Sequence, residues 1–305
     1  MRAAVVDIGT NSTRLLIADV AGDSLEELDK RSTVTRLGQG VDATGRLSEE
    51  AEQRVFRTLV TYVEAIEAAG CESRTAVMTS AVRDASNGAA FAATVRDRFG
   101  LEVRTLTGDE EAHLTYLGAT ATRLAADQTK VLVVDIGGGS TEMVLGSGGE
   151  VTFHVSTQIG VVRHTERHLH DDPPKPAQIA AATSDVRPAL HAAVPASVRS
   201  GAQEIVAVAG TATSGAAIDL ALEPYDSSRV EGYQLTREAV QKIIDRLAPL
   251  PLEERKRVRG LHPDRAATIL AGMLILAEIL DAFGLDQATV SDRDILWGVA
   301  LEGAR

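Results

Sequence analysis

VVDIGTNST occupies residues 5–13, and VVDIGGGST occupies residues 133–141. The two stretches lie 128 residues apart and match position by position: Asp7 with Asp135, Gly9 with Gly137, Ser12 with Ser140 and Thr13 with Thr141. In each, an apolar run ends on a carboxylate, a segment of Gly and hydroxyl residues follows, and a second apolar run (LLIADV; MVLG) leads away. The pattern predicts a strand, a tight turn and a second strand. Bare backbone N–H groups and hydroxyls at such a turn form a nest for anions, and an acid at the strand end can hold a cation beside it. Two copies of the unit predict two similar domains facing each other, with phosphate and metal held in a cleft between them.

A length of 305 residues fits two domains of about 150 each. Apolar residues make up 44 % of the chain and aromatic ones only 3 %, so the cores must be built from Ala, Val, Leu and Ile. The formal charge of −12 sets up a field that repels nucleic acid and acidic lipid. A polyanionic substrate then needs a local basic lining and a divalent cation. A single cysteine, Cys71, forms no intrachain disulfide, as suits a reducing compartment. The strand pattern begins within the first residues and leaves no room for a signal peptide. The longest mostly apolar run, Ala266–Ala277, falls short of the roughly 18 residues of a membrane span. The expectation is a cytoplasmic protein without membrane or nucleic-acid partners.

Along the chain, residues 3–20 read as a hairpin and Thr33–Gly45 as a polar loop. Ser48 is placed to cap a helix with Glu49 and Glu50 in its first turn. Val55, Leu59, Val63 and Ile66 form its apolar stripe, and Gly70 ends it. Strand, helix and strand follow at 74–79, 86–99 and 101–106, then a helix from near Thr107–Asp109 to about Ala126. The second copy predicts strands at 130–135, 142–146 and 151–156. HDDPPKPA at 170–177 is a breaker before an Ala-rich helix. EIVAVAG at 204–210 reads as a buried strand running into a glycine turn and a helix. Helices dominate the remainder, apart from a short strand near 288–290. This order indicates mixed α/β domains, divided as 1–125 and 126–305, with the last helix free to pack back on the first domain.

Several constellations point to phosphate chemistry. Gly137, Gly138 and Gly139 leave three consecutive N–H groups unshielded. Asp135 and Glu142 stand seven residues apart across that turn, so a hairpin returns both carboxylates toward one hard cation. Mg²⁺ takes one or two protein carboxylates and completes its octahedron with water and phosphate oxygens. The first copy has Arg14 where the second has Glu142. GDEEAH at 108–113 opens a helix, and the helix dipole alone accounts for three acids there. A carboxylate at that place can also orient a water for in-line attack. Arg14, Arg36, Arg83 and Arg265 each sit beside a turn signal, and as a set they would supply bidentate phosphate contacts. VAVAGTATS at 206–214 forms a further strand–turn–helix nest through Gly210 and Thr211. His164, His168 and His170 beside Asp171 and Asp172 read as solvated polar surface rather than as a metal site.

Taken together the chain resembles the exopolyphosphatase and guanosine pentaphosphate phosphohydrolase (Ppx/GppA) family, within the actin, sugar kinase and Hsp70 superfamily. The stretches that carry the resemblance are VVDIGTNSTRLLIADV, TRLGQGVDATGRLSEEA, MTSAVRDASN, LTGDEEAHLTYLGA, VVDIGGGSTEMVLG, GVVRHTERHLHDDPP, VAGTATS and HPDRAATILAGMLIL, in the family's order. The resemblance implies two ribonuclease H-like domains and an interdomain cleft. It implies that Glu111 positions and activates the attacking water, and that Asp135 and Glu142 hold Mg²⁺. Mn²⁺ is an alternative ion there, and a monovalent cation an addition. Gly137, Gly138, Gly139 and Ser140 match the phosphate loop, with Asp7, Thr10, Asn11 and Ser12 as its counterpart in the first domain, and Arg83 matches a phosphate-contacting arginine. The implied substrates are inorganic polyphosphate and guanosine penta- or tetraphosphate, with the stringent response as the setting; a homodimer stays open as the assembly. Longer members carry extra C-terminal helical domains, which this chain lacks after SDRDILWGVALEGAR. GTNST stands where many relatives have GSNS, a neutral exchange of hydroxyls.

Two other readings share the fold. One is a kinase that moves phosphoryl from ATP to an acceptor alcohol, with VAGTATS as the candidate adenosine pocket. The other is a non-enzymatic, nucleotide-dependent binding or filament protein. The set of Glu111, Asp135 and Glu142 argues against the second, and phosphate release without an acceptor would separate hydrolysis from the first.

Overall fold

The computed structural model describes residues 1–22, 24–123 and 126–304. The chain separates into two compact units, Met1–Ala121 with Asp294–Arg305, and Thr122–Arg293. The division expected after residue 125 falls beside residues 124 and 125, which lie outside the described ones.

In the first unit the run that ends at Asp7 forms β1 (Arg2–Ile8), antiparallel to β2 (Ser12–Ala21) with Asp7 opposite Arg14. Ala3–Ile8 are all buried, as befits a strand covered on both faces. A third strand, β3 (Ser24–Val34), continues the meander. This strand has no clear range in the sequence because SLEELDKRSTV carries charge on both faces, and the strand is an exposed edge, where charges guard against pairing with other chains. Only the first two residues of the expected polar loop, Thr33 and Val34, are strand, and α1 (Val41–Thr44) interrupts the rest.

Helix α2 (Glu49–Ala69) follows the predicted cap: Ala51 N donates to Ser48 Oγ at 3.2 Å, and Gly70 closes the helix at φ 67. Val55, Leu59 and Ile66 are fully buried beneath it. Next come β4 (Ser73–Met78), the short α3 (Ser80–Asp84), α4 (Gly88–Phe99) and β5 (Glu102–Thr105). Helix α5 (Gly108–Thr120) ends short of the expected Ala126. The sheet runs β3-β2-β1-β4-β5, with β4 parallel to β1 and β5 parallel to β4.

The second unit repeats that plan. β6 (Val131–Ile136), β7 (Thr141–Ser147) and β8 (Glu150–Thr157) form a meander with Asp135 opposite Glu142. There follow α6 (Val161–His168), α7 (Pro176–Ala193), α8 (Ala196–Arg199), β9 (Glu204–Val208) and α9 (Ala209–Asp219). The remainder is α10 (Ser227–Val230), β10 (Gln234–Thr236), α11 (Arg237–Leu247), α12 (Leu252–Arg255), a 3₁₀ turn at Pro263–Arg265, α13 (Ile269–Phe283) and β11 (Gln287–Val290). Its sheet runs β10-β11-β9-β6-β7-β8. Read from the other edge, β8-β7-β6-β9-β11 reproduces the order of the first sheet, with β9 parallel to β6 and β11 parallel to β9. Two ribonuclease H-like units thus share one topology, and β10 is an addition. The apolar α13 lies in the core of the second unit, where Leu270, Met273, Leu276 and Leu280 are fully buried. No helix among the described residues is long and apolar enough to cross a membrane.

The last helix, α14 (Ile295–Gly303), belongs to the first unit. Ile295, Leu296, Val299 and Leu301 share a core with Ala3, Val5, Leu16 and Leu114. Gly118 of α5 and Gly298 of α14 let the two helices cross backbone to backbone. A Cβ on Gly118 would strike the Asp294 carbonyl, and one on Gly298 the Leu114 carbonyl. Backbone atoms cannot swing aside as a side chain does, so an added methyl must part the helices. Gly298→Ala is expected to lower stability by about 1–3 kcal/mol, the range of overpacked cores. Denaturant unfolding measures it, and an unchanged midpoint would show that the helices separate without cost.

Candidate active site

Both hairpin turns close with the same bond. Gly9 N donates to the Ser12 carbonyl and Gly137 N to the Ser140 carbonyl, each at 3.0 Å. A Cβ on Gly9 would lie 3.1 Å from the Ser12 carbonyl oxygen, and one on Gly137 3.2 Å from that of Ser140. Glycine is therefore the residue that fits most easily at the head of each turn.

In the first unit the turn is braced from outside. Gly38 N donates to the Thr10 carbonyl at 2.8 Å, while Thr35 N and Arg36 N donate to the Asn11 carbonyl at 3.0 and 2.8 Å. The Thr10 hydroxyl shares a buried hydrogen bond of 2.8 Å with Ser80, at the start of α3. Asn11 Oδ1 is buried with no hydrogen-bond partner among the described residues. Ser12 opens β2, and Thr13 behind it is fully buried, its carbonyl accepting from Tyr62 Oη at 3.0 Å. The structure thus divides the hydroxyls: Thr13 belongs to the core, and Thr10 to the underside of the turn.

Asp7, at the end of β1, is 4 % exposed. Its Oδ2 accepts from Arg14 Nε at 2.9 Å and Nη2 at 2.6 Å. The same guanidinium bonds Asp294 through Nη1, and Asp294 caps α14 by accepting from Leu296 N at 3.0 Å. Burial pushes the Asp7 carboxyl above the usual range; Arg14 opposes that, and the Asp294 charge adds to it. The sequence reading grouped Arg14 with the phosphate contacts. Its charge is instead committed to these two buried carboxylates. Asp294 was overlooked as a member of the group: an Asp before ILWG signals a helix cap, but nothing local signals a bond to a residue 280 positions away.

Glu111 and Arg83 meet in the same unit. At the start of α5, Thr107 and Glu110 form a capping box, with Glu110 N donating to Thr107 Oγ1 at 3.2 Å and Thr107 N to Glu110 Oε2 at 2.8 Å. Glu110 therefore serves the helix end, and its neighbour does not. Glu111 is turned inward, 7 % exposed, and its Oε2 accepts from Arg83 Nη1 at 3.0 Å. Arg83 also donates to the Leu106 carbonyl at 3.1 Å. The guanidinium is anchored by backbone and fixes the direction in which the Glu111 carboxylate points.

In the second unit Asp135 and Glu142 are direct cross-strand partners, 8 % and 2 % exposed. Opposed residues of an antiparallel pair project from the same face. Ser156 Oγ donates to Glu142 Oε1 at 2.7 Å. The glycine turn above them is braced by α6, whose Val161 N and Val162 N donate to the Gly137 and Gly138 carbonyls at 2.9 Å. A Cβ on Gly160 would strike Gly138 and Gly139. Ser140 is buried, and Thr141 Oγ1 donates to the Ile159 carbonyl at 2.6 Å. Two carboxylates on one buried face offer the all-oxygen donor set that Mg²⁺ or Mn²⁺ prefers. The first copy fills the second position with the guanidinium of Arg14.

The expected glycine turn at 206–214 is absent. β9 passes directly into α9 at Ala209, whose φ of 59 makes the bend. A side chain in that left-handed region stores strain, and such strain accumulates at functional sites. Gly210 lies in the first turn of the helix, and a Cβ there would run into Nη1 of Arg265. The glycine therefore admits a guanidinium over a helix N-terminus. Both the helix end and the guanidinium favour an anion. Thr211 is held from beneath, its Oγ1 donating to the Ile136 carbonyl at 2.8 Å.

The histidine stretch departs from the reading as solvated surface. His164 is buried in α6, and burial, aided by the charge of His168, pushes its imidazolium down to about 4. His168 bonds Asp185 of α7. The two acids expected beside the histidines go elsewhere: Asp171 pairs with Lys175 at 2.9 Å, and Asp172 accepts from Leu252 N and Arg255. His170 is exposed.

A model of the Ppx/GppA phosphatase family matches residues 16–303. Exopolyphosphatase 2 of Mycobacterium tuberculosis is 37 % identical, covering 98 % of each chain. Guanosine-5'-triphosphate,3'-diphosphate pyrophosphatase of Photobacterium profundum is 30 % identical over 98 % of this chain and 58 % of its own length. The crystal structure of the Aquifex aeolicus member of the Ppx/GppA family superposes with a TM-score of 0.82 at 34 % identity, covering 99 % of this chain and 97 % of that one.

The Arg83–Glu111 pair is open to a double-mutant cycle. Removing one partner of a buried pair strands the other charge away from water. Arg83 is partly exposed, which moderates the cost, so Arg83→Ala is expected to lower stability by about 1–3 kcal/mol. Adding Glu111→Gln should recover part of that loss in chemical denaturation. Strictly additive losses would show that the two side chains do not depend on each other.

Proposed function

This chain belongs to the Ppx/GppA phosphatase family, and we propose that it is a Mg²⁺-assisted phosphoanhydride hydrolase. Its substrate is then inorganic polyphosphate, which loses its terminal phosphate, or guanosine pentaphosphate (pppGpp), which loses its 5′-phosphate. The names of the relatives and the geometry of the second hairpin support this reading.

The observation that carries it is the contrast between equivalent positions. Asp7 faces Arg14 and Asp135 faces Glu142 in the same register. The first pair neutralises itself within the fold. The second places two carboxylates on one buried face, the all-oxygen donor pair that a divalent cation such as Mg²⁺ prefers. Asp135 and Glu142 are the residues that would hold Mg²⁺, and its chemistry there is neutralisation of charge on phosphate oxygens.

The chain's own groups account for the rest. In the second unit Gly137, Gly138, Gly139 and Ser140 offer backbone N–H groups to phosphate oxygens, and in the first Thr10, Asn11 and Ser12 form the equivalent turn. Asp7 keeps Oδ1, which has no hydrogen-bond partner among the described residues, to orient a water or a hydrated cation. Gly210 and Thr211, beneath Arg265, supply a helix end to a phosphate. Glu111, aimed by Arg83, accepts a hydrogen bond from the attacking water and receives its proton as the new P–O bond forms. The bridging anhydride P–O bond breaks, and the shortened phosphate chain leaves as the anion. Such a reaction depends on position and fixed charge rather than on covalent chemistry with the protein. These basic and N–H groups offset, locally, the net charge of −12 that would otherwise repel a polyanion. A single buried cysteine, Cys71, accords with work in the cytoplasm.

The direct test is phosphate release from short polyphosphate, long polyphosphate and pppGpp, side by side with Mg²⁺. Release that requires an acceptor alcohol would indicate a kinase instead. Glu111→Gln is expected to keep substrate affinity and to lower turnover by at least ~10²-fold; near-normal turnover rules out its role with the water. Asp135→Asn is expected to move the Mg²⁺ titration to higher concentration by about tenfold or more. An unshifted titration would place the ion elsewhere.

A further inference from the structure

The histidine stretch takes no part in the chemistry above, and it builds a cluster of its own. His164 and His168 stand one turn apart on α6, so their rings share a face of the helix, with centroids 5.3 Å apart. Asp185 reaches them from α7. Its Oδ2 lies 3.1 Å from His168 Nε2 and 3.7 Å from His164 Nε2. One donor atom from each of the three side chains falls within 4.8 Å of the other two.

His164 sets the cluster apart from an ordinary surface histidine pair. It is 2 % exposed, yet neither ring nitrogen has a hydrogen-bond partner among the described residues. Buried polar atoms are nearly always satisfied, and its Nε2 points toward the other two donors at a distance too long for a hydrogen bond. A metal ion is the partner that suits three donors converging from two helices.

We propose that His164, His168 and Asp185 form a binding site for a divalent transition-metal ion, best suited to Zn²⁺, that pins α6 to α7. Tetrahedral bonds of about 2.0–2.1 Å to nitrogen and oxygen put neighbouring donors about 3.3 Å apart. The separations of 3.1 and 3.7 Å from Asp185 lie on either side of that spacing, and side-chain rotation would bring all three donors, within 4.8 Å of one another, to it. Two imidazoles and one carboxylate select a borderline ion such as Zn²⁺ over Mg²⁺, which prefers oxygen alone. The cluster is thereby chemically distinct from Asp135 and Glu142. The side chain of Asp185 is about half exposed and that of His168 one-fifth exposed, so an ion enters from the solvent side and keeps a position for water. Arg163 and Arg167 of the same helix bring positive charge toward His164 and temper the affinity. The ion would anchor the helix whose first turn braces Gly137 and Gly138, and its binding does not depend on the hydrolase reading.

The test uses the full chain stripped of metal with a chelator and titrated with Zn²⁺ in the presence of excess Mg²⁺. One Zn²⁺ per chain, a raised thermal midpoint, and the visible absorption of a tetrahedral site when Co²⁺ is substituted are the expected results. His168→Ala and Asp185→Asn sit at the more exposed ligands, so the fold should survive them. Each is expected to weaken binding by at least ~10-fold and to remove the thermal shift, whereas Asp135→Asn should leave the Zn²⁺ isotherm unchanged. Wild-type binding no tighter than that of the His168→Ala/Asp185→Asn double variant would reduce the cluster to a simple His–Asp hydrogen bond and overturn the proposal. So would Zn²⁺ binding that disappears only with Asp135→Asn.

Discussion

Cross-strand register is the constraint on which the rest of this structure depends. In an antiparallel pair a one-residue slip turns every side chain to the opposite face. The bonds from Gly9 to Ser12 and from Gly137 to Ser140 set where each hairpin starts counting. Asp7 consequently meets Arg14, and Asp135 meets Glu142. One further residue in either turn would send the carboxylate and its counterpart to different faces. The conformational tolerance of glycine is thus converted into the placement of charge.

The same register carries opposite electrostatics in the two copies. Arg14 ties Asp7 to Asp294, so the first hairpin is bonded to the start of α14 and its acids are answered internally. The second hairpin keeps both acids, and the Ser156 hydroxyl donates to the Glu142 carboxylate. Among the positions at which the two copies differ, Arg14 against Glu142 gives the first an ion pair where the second has two carboxylates.

Much of this was legible in the chain because it is local. The two hairpins, the helix opened by Ser48 and closed by Gly70, and the pairing of Asp135 with Glu142 all follow from spacing within a few residues. The bounds of β3 were not legible because an exposed edge strand needs no apolar face, and SLEELDKRSTV has none. α6 escaped because VVRHTERH is dominated by charged and imidazole side chains, although its first residues and His164 are buried. The glycine turn expected at Gly210 gave way to a helix start that exists to admit Arg265. Pairings across the chain, such as Arg83 with Glu111 or His168 with Asp185, join residues on separate elements. No local periodicity encodes them, so the composition of GDEEAH left Glu111 indistinguishable from its capping neighbour.

The crossing of α5 and α14 bears on how the protein is made. Strands β1 and β2 leave the ribosome well before α14, yet the apolar surface over Ala3, Val5 and Leu16 is sealed by Ile295, Leu296 and Val299 of that helix. Domains ordinarily fold in the order of synthesis. Here the opening half of the polypeptide must wait, part of its interior uncovered, while the continuous segment that follows can complete itself. A nascent chain stalled before Asp294 would thus present an exposed sheet face to chaperones and leave Arg14 without one of its two acids.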